Sequence, residues 1–211
     1  GKSMIPTHNS TVAAAMAVRE ALVKPKSLIL LLSPTLRQSG ELFRDKVLQF
    51  YRPWEEVSPP KQQTALTLTL VNGSRIIILP QKESNIRGYS AVSLLVIDEA
   101  ARVPDDFYKS LRPMLAVSKG RMVVLSTPWG KRGWFYEEWI SDRPWERVTV
   151  RADDCARISS EFLEEEKQSL GARWFAQEYM NSFEETVDAV FTESEIRAAV
   201  EEAPPPLWGI A

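Results

Sequence analysis

Leu94-Leu95-Val96-Ile97-Asp98-Glu99-Ala100 places four apolar residues directly before two adjacent carboxylates. A short unbroken apolar run suits a strand buried on both faces, as in a parallel sheet. Such a strand carries Asp98 and Glu99 out at its carboxyl end. Nucleotide hydrolysis needs two carboxylate roles at such a tip, one holding Mg²⁺ directly or through water and one polarising the attacking water. Asp98 fits the first role and Glu99 the second. The plain structural alternative is a pair of acids at a helix N-terminus, favoured there by the dipole.

Two further runs resemble this strand. Ser27 to Ser33 (SLILLLS) runs into Ser33-Pro34-Thr35, and Arg121 to Thr127 (RMVVLST) is closed by Pro128. Thr64 to Val71 alternates leucine with threonine, and Asn72-Gly73 separates it from Ser74 to Leu79 (SRIIIL), a strong hairpin signal. Helices are predicted over Thr11 to Val23, Leu36 to Phe50, Pro104 to Leu115, Trp134 to Ile140 and Glu161 to Phe183, the last with a break at Gly171. Trp54 to Gln63 reads as loop and Trp145 to Val150 as a strand. Strands alternating with helices predict an α/β fold: a mainly parallel sheet flanked by helices, with a β-hairpin insertion. Ligands bind such sheets outside the carboxyl ends of the strands, where Ser33-Pro34-Thr35, Asp98-Glu99 and Ser126-Thr127-Pro128 all fall.

Ser126-Thr127-Pro128, about 28 residues after Asp98, can couple nucleotide state to movement through a hydroxyl near the γ-phosphate; a simple strand-ending turn is the alternative. Asn85-Ile86-Arg87-Gly88 offers a turn arginine, either merely exposed or reaching a neighbour's γ-phosphate. Gly1-Lys2-Ser3 resembles the end of a phosphate-binding P-loop, in which the helix begins at once. Here the helix signal begins at Ser10-Thr11, and Pro6 disfavours helix from Met4 to Asn9. Removing Ser3 to Asn9 joins Gly1-Lys2 to Ser10-Thr11, giving GKST followed directly by helix. The seven residues end in His8-Asn9 before Ser10, which resembles the C-terminal splice junction of an intein. They read as a splicing remnant, with a variable loop as the alternative. Trp129, Trp134 and Trp139 read as core aromatics rather than as platforms for DNA or a partner.

Composition narrows the field. The chain has 211 residues, 44 % hydrophobic and 26 % charged, as globular domains do. No apolar run approaches the ~18 residues of a membrane span. One cysteine, Cys155, excludes an intrachain disulfide framework, and one histidine, His8, leaves little room for a His-based triad or metal cluster. Residues 1–152 carry 22 Lys and Arg against 14 Asp and Glu, a net of +8. Residues 153–211 carry 4 against 14, a net of −10. The basic part can face phosphates or simply be solvated.

In kind and order, SPTLRQSGELF, SNIRGYSAVSLLVIDEAARVPDDFYKSLRPML and VVLSTPWGKRGWFYEEW resemble the ATPase domain of the large terminase subunit of tailed phages. The resemblance spans Ser10 to Ala211. It implies a P-loop NTPase of RecA/ASCE-like type, using ATP and Mg²⁺ to translocate double-stranded DNA into a prohead. It implies Gly1, Lys2, Ser10 and Thr11 as nucleotide-binding residues, and Asp98 with Ser10 at the metal. It implies Glu99 as catalytic, Arg87 as an arginine finger acting on a neighbour, and Ser126, Thr127 and Pro128 as the coupling motif. Implied partners are a portal protein, the small terminase subunit and further copies in a ring, pentameric by family resemblance, in the host bacterial cytoplasm and away from membranes.

The expected organisation is an interrupted P-loop over 1–9, an ATPase core over 10–152, an acidic helical subdomain over 153–203, and a linker opening a nuclease domain over 204–211. The resemblance also implies an upstream adenine-contacting segment and, after Trp208-Gly209-Ile210-Ala211, a nuclease aspartate. The competing readings are a helicase-like translocase and a nucleotide-fold binding module without turnover.

Overall fold

The computed structural model describes residues 6–81 and 86–185. Gly1, Lys2 and Ser3 lie outside the described residues, as does everything from 186 onward, including the expected linker and nuclease start. In chain order the elements are α1 (Pro6–Val23), β1 (Leu28–Ser33), α2 (Leu36–Glu41), a π-helical turn (Leu42–Val47), α3 (Leu48–Tyr51), β2 (Pro60–Gln63), β3 (Thr67–Leu70), β4 (Arg75–Pro80) and β5 (Leu94–Ile97). Then follow α4 (Asp105–Leu111), β6 (Arg121–Val124), α5 (Gly133–Ile140), α6 (Ser160–Leu170) and α7 (Ala172–Glu178). Among the described residues no helix is long and apolar enough to cross a membrane.

The six strands form one sheet in the order β2-β3-β4-β1-β5-β6. β1, β5 and β6 run parallel, as their unbroken apolar runs predict, and β4, expected only as a hairpin strand, joins them in parallel beside β1. β3 and β2 add antiparallel to the β4 edge, with Asn72-Gly73 turning β3 into β4. Gly73 holds φ at 84°, the left-handed conformation this turn demands. Side chains alternate across the parallel strands. Ile29 and Leu31 pack with Ile76, Ile78, Leu94 and Val96 on one face, covered by α1 and the π-turn segment. Leu28, Leu30 and Leu32 pack with Ile77, Leu79, Leu95 and Ile97 on the other, covered by α4 and α5. Each such side chain fully buried stabilises the fold by about 1.5–3 kcal/mol.

The two faces are built differently. α1 meets the sheet through Ala13, Ala14, Ala17 and Ala21, small enough to let the helix axis approach closely. The opposite face is aromatic: Trp134 stacks on Tyr108 with ring centroids 3.8 Å apart and donates its indole N–H to the Val103 carbonyl. Trp134 is therefore core, as expected.

Four expectations need correction. α1 begins at Pro6, not at Ser10: proline occupies the first helical position, where its missing N–H costs nothing and its fixed φ suits the helix. The end of the segment expected as loop contains β2, a polar edge strand whose proline stands at the first position, where no ladder donor is needed. Trp145 to Val150 forms no strand, because its groups are engaged by side chains. Trp145 donates to Glu138, and the Val150 carbonyl accepts from Asn181. The helix expected over Leu36 to Phe50 is helical throughout but carries the π-turn at Leu42–Val47. The helical break at Gly171 is present, with φ at 78°.

Candidate functional site: an acidic strand tip over a polar cleft

β5 delivers Asp98 and Glu99 at the carboxyl end of the sheet. The Asp98 N–H continues the ladder by donating to the Leu32 carbonyl at 2.8 Å. The Gln81 amide donates to the Asp98 carbonyl at 2.6 Å, so a buried side chain from the end of β4 fixes the tip. Glu99 then adopts φ 50° and ψ 42°, a left-handed conformation that a residue with a Cβ takes up at a cost of roughly 1–2 kcal/mol. Its N–H donates to Asp98 Oδ1 at 3.1 Å. This turn ends the strand abruptly and separates the directions of the two carboxylates.

Ser10, in the second turn of α1, donates its hydroxyl to Asp98 Oδ2 at 3.0 Å. The two residues are 88 positions apart in sequence, and the fold brings together the hydroxyl and the carboxylate that the family resemblance assigns to one metal. A cleft of ≈ 340 Å³ opens beside them, lined by Ser10, Asp98 and Glu99 on one side and by Gln38, Asp45 and Lys46 from α2 and the π-turn on the other. A π-turn adds a residue to the helical repeat and is found often at functional sites. Here it bears Asp45 and Lys46, in a stretch whose sequence predicts only a helix.

Burial raises the pKa of Asp98; the Ser10 hydroxyl and the Glu99 N–H pull it back without cancelling the rise. Glu99 is raised first by burial, then by the neighbouring Asp98 charge, with Arg102 opposing and Glu178 of α7 adding to the rise. Both carboxylates are therefore costly to keep charged, and both would gain from a cation. Arg102 stands between the tip and α7: its Nε is 4.0 Å from Glu99, and its guanidinium lies 3.9 Å over the Trp129 ring. Trp129 in turn meets Trp174 of α7 at 6.2 Å. Arg102, Gln81 and the Lys46 side of the cleft carry no motif that sequence reading could isolate.

Ser126, Thr127 and Pro128, expected as a coupling motif, lie one step behind the cleft. The Ala101 N–H donates to the Ser126 hydroxyl at 3.0 Å, and that hydroxyl donates to the Thr127 carbonyl at 2.7 Å. Ser126, Thr127 and Pro128 are buried and do not line the cleft. Ser126 touches the turn that follows Glu99, so its link to the acidic pair runs through backbone. Thr11 adjoins Ser10 in α1. Arg87 lies in a short 3₁₀ turn, Ile86–Gly88, and its side chain is outside the described set, as are Gly1 and Lys2.

A parallel sheet with a hydroxyl from the first helix on an aspartate at a strand tip, and a glutamate beside it, defines a P-loop type nucleoside triphosphatase fold. The likeness to solved structures is of that kind. The ATPase domain of the Thermus phage P74-26 large terminase superposes with a TM-score of 0.71 at 21 % identity, over 86 % of this chain and 88 % of that one. A large terminase from a thermophilic bacteriophage, solved with ATP-γ-S, superposes with a TM-score of 0.67 at 15 % identity. That match covers 87 % of this chain and 47 % of the other. Nothing among curated proteins matches. The chain belongs to the large terminase family: the family model described as terminase large subunit, T4likevirus-type, N-terminal, matches residues 9–198.

Proposed function

We propose that the chain is the ATP-hydrolysing motor domain of a phage DNA-packaging machine, acting in the bacterial cytoplasm with double-stranded DNA, a portal protein, a small terminase subunit and further copies of itself. The observation that carries the reading is the Ser10 hydroxyl 3.0 Å from Asp98 Oδ2, beside Glu99 and the open cleft. A binding module without turnover would not need two carboxylates held at this cost, one of them on a left-handed backbone.

The donor set suits Mg²⁺. Ser10 and Asp98 supply one hydroxyl and one carboxylate, both hard oxygens, and Mg²⁺ takes only one or two protein ligands beside phosphate oxygens. Among the described residues no group of three or more His, Cys, Asp or Glu gathers as a cage, which agrees with such a ligand count. Bound there with ATP, the ion would neutralise charge on the phosphate oxygens. Ser10 and Asp98 hold its position, and Glu99, its carboxyl poised by burial, orients and polarises the attacking water. Gly1, Lys2 and Thr11 complete the phosphate cradle in this reading. Arg87 reaches the phosphates of an adjacent copy, and Ser126-Thr127-Pro128 passes the change at the tip to the rest of the domain through the Ala101 backbone. The organisation proposed is an interrupted P-loop at 1–9, the core at 10–152, an acidic helical unit at 153–203 and a linker from 204.

The register of the P-loop is part of the proposal. The hydroxyl on Asp98 belongs to Ser10, which follows Lys2 directly once Ser3 to Asn9 are removed. That supports Ser3 to Asn9 as a splicing remnant, although the helical start at Pro6 withdraws the separate argument that proline keeps helix out of this stretch. The test is Mg-ATP binding and hydrolysis by two versions, both extended by the upstream segment that the family resemblance implies. One keeps Ser3 to Asn9 and the other lacks them. Turnover by the shortened form alone is the expected result. Turnover by both would make Gly1-Lys2-Ser3 the P-loop, and no ATP binding by either would end the motor reading. Arg87→Ala should lower turnover on the order of 10³-fold in the assembled state and leave the isolated copy unchanged; equal loss in both would remove its role in trans.

A further inference from the structure

At the other end of the sheet, beneath the start of β6, lies a second and larger cavity of ≈ 660 Å³. Its floor is Glu138 of α5, buried, whose carboxylate accepts from the Tyr108 hydroxyl at 2.9 Å, from the Trp145 indole at 2.8 Å and from Arg143. Arg112 stands 3.6 Å from the same carboxylate. Lys119 completes the rim, exposed, on a left-handed backbone at φ 50°. Arg143 and Arg112 thus share one carboxylate with Lys119 standing on the rim beside them, and the walls between are apolar, formed by Leu115, Met122 and Trp145. Such a cleft suits an anionic segment that also brings apolar side chains.

The chain has such a segment. α6 is eleven residues long and has no buried residue. Its surface presents Glu161, Glu164 and Glu165, with Phe162 44 % and Leu170 40 % exposed. α7 anchors this unit at the acidic-tip end of the sheet, through Trp174 on Trp129 and Glu178 near Glu99. The basic cleft lies at the opposite end, where α5 returns the chain to the start of β6. Within one copy α6 packs on α7 and on the turn at Ala152–Asp154, not on the cleft. A contact between unlike surfaces of identical chains is heterologous and extends into rings or filaments. The charge totals agree, with +8 over residues 1–152 and −10 over 153–211.

We propose that the Arg112–Lys119–Arg143 cleft receives the acidic helix α6 of a second copy of this chain, head to tail. The proposal rests on the reading that copies assemble, and it names the faces that do so. A DNA duplex fits the cleft less well, since Glu138 would face its phosphates and three cations are few for a backbone track.

Sedimentation velocity without nucleotide tests the contact. The expected result is self-association at ~0.05 M salt that weakens at least ~10-fold at ~0.5 M. Lys119→Glu with Arg112→Gln, and separately Glu164→Lys with Glu165→Lys, should each leave monomers. Glu164 and Glu165 are both exposed, so the second pair does not threaten folding. Mixing the two variants should give dimers and nothing larger, because each retains one good face. A chain carrying all four changes should associate again. Association that survives both variants would overturn the contact while leaving assembly intact. Monomers under every condition would overturn both, and cleft changes that weaken only the binding of a DNA duplex would overturn the contact alone.

Discussion

Glu99→Ala should abolish ATP turnover while leaving ATP binding within about two-fold of the unaltered chain. Loss of a positioned base costs on the order of 10²–10⁴-fold. Of the other carboxylates at the cleft, Glu41 pairs with Arg37 at 2.9 Å. Asp98 is engaged by the Ser10 hydroxyl and by the Glu99 N–H, and both hold it toward the metal role. Asp45 lines the far wall of the cleft, on the π-turn. The substitution keeps a Cβ on the left-handed backbone, so it neither relieves nor adds strain at φ 50°. It also removes a carboxylate that burial makes costly to charge, so the fold should survive. Single-turnover hydrolysis and equilibrium binding of Mg-ATP, measured side by side, decide the matter. Near-normal turnover would sink the role of Glu99, and loss of binding would place it in the phosphate cradle instead.

Glu138→Leu should be the most destabilising of the substitutions considered, by about 3–5 kcal/mol, the range seen when one partner of a buried charged network is removed. At this chain length that is roughly 10 °C of Tm. Leucine fills the volume but strands the Tyr108 hydroxyl, the Trp145 indole N–H and Arg143. Burial alone would push the Glu138 carboxyl up. The hydrogen bonds from Trp145 and Tyr108 and the charges of Arg143 and Arg112 outweigh it and hold the group below its ordinary value. A depressed carboxyl contributes stability that is present above the unfolded value and lost as pH falls through the folded one. The deficit of Glu138→Leu should therefore be full at neutral pH and narrow below about pH 4.5. The partner behaves oppositely: burial, then Glu138, pushes Tyr108 up to about 12. Its contribution is complete below the ordinary phenol value and is lost only as pH rises through about 12. Thermal unfolding across pH 3–8 checks the first sign, and a deficit that does not vary with pH would refute it.

Much of the parallel core was legible because burial on both faces leaves a plain mark. SLILLLS, LLVI and RMVV became β1, β5 and β6 within a few residues. Asn72-Gly73 announced the hairpin, and the carboxylates followed LLVI to the strand tip. What stayed hidden is made by tertiary pairing. Pro-Lys-Gln-Gln carries no strand pattern and becomes β2 only because β3 offers an edge. Trp145 to Val150 has the alternation of a strand but meets Glu138 and Asn181 in place of a ladder. Pro6 was read as a breaker because its place within the helix, not its presence, decides its effect. Within the site, Ser10 is singled out by the register that joins Gly1-Lys2 to Ser10-Thr11, and the structure sets its hydroxyl on Asp98. Gln81, Arg102 and Lys46 belong to no spacing and become partners only after the sheet has assembled.

The Arg102 guanidinium sits between a carboxylate and an indole, 4.0 Å from one and 3.9 Å from the other. An indole under a fixed cation absorbs and emits according to the local field. Any change of charge at Glu99 alters that field, and any displacement of α7 alters the Trp174 edge beside it. The acidic tip thus carries its own unlabelled optical gauge, placed by the fold between the proposed chemistry and α7.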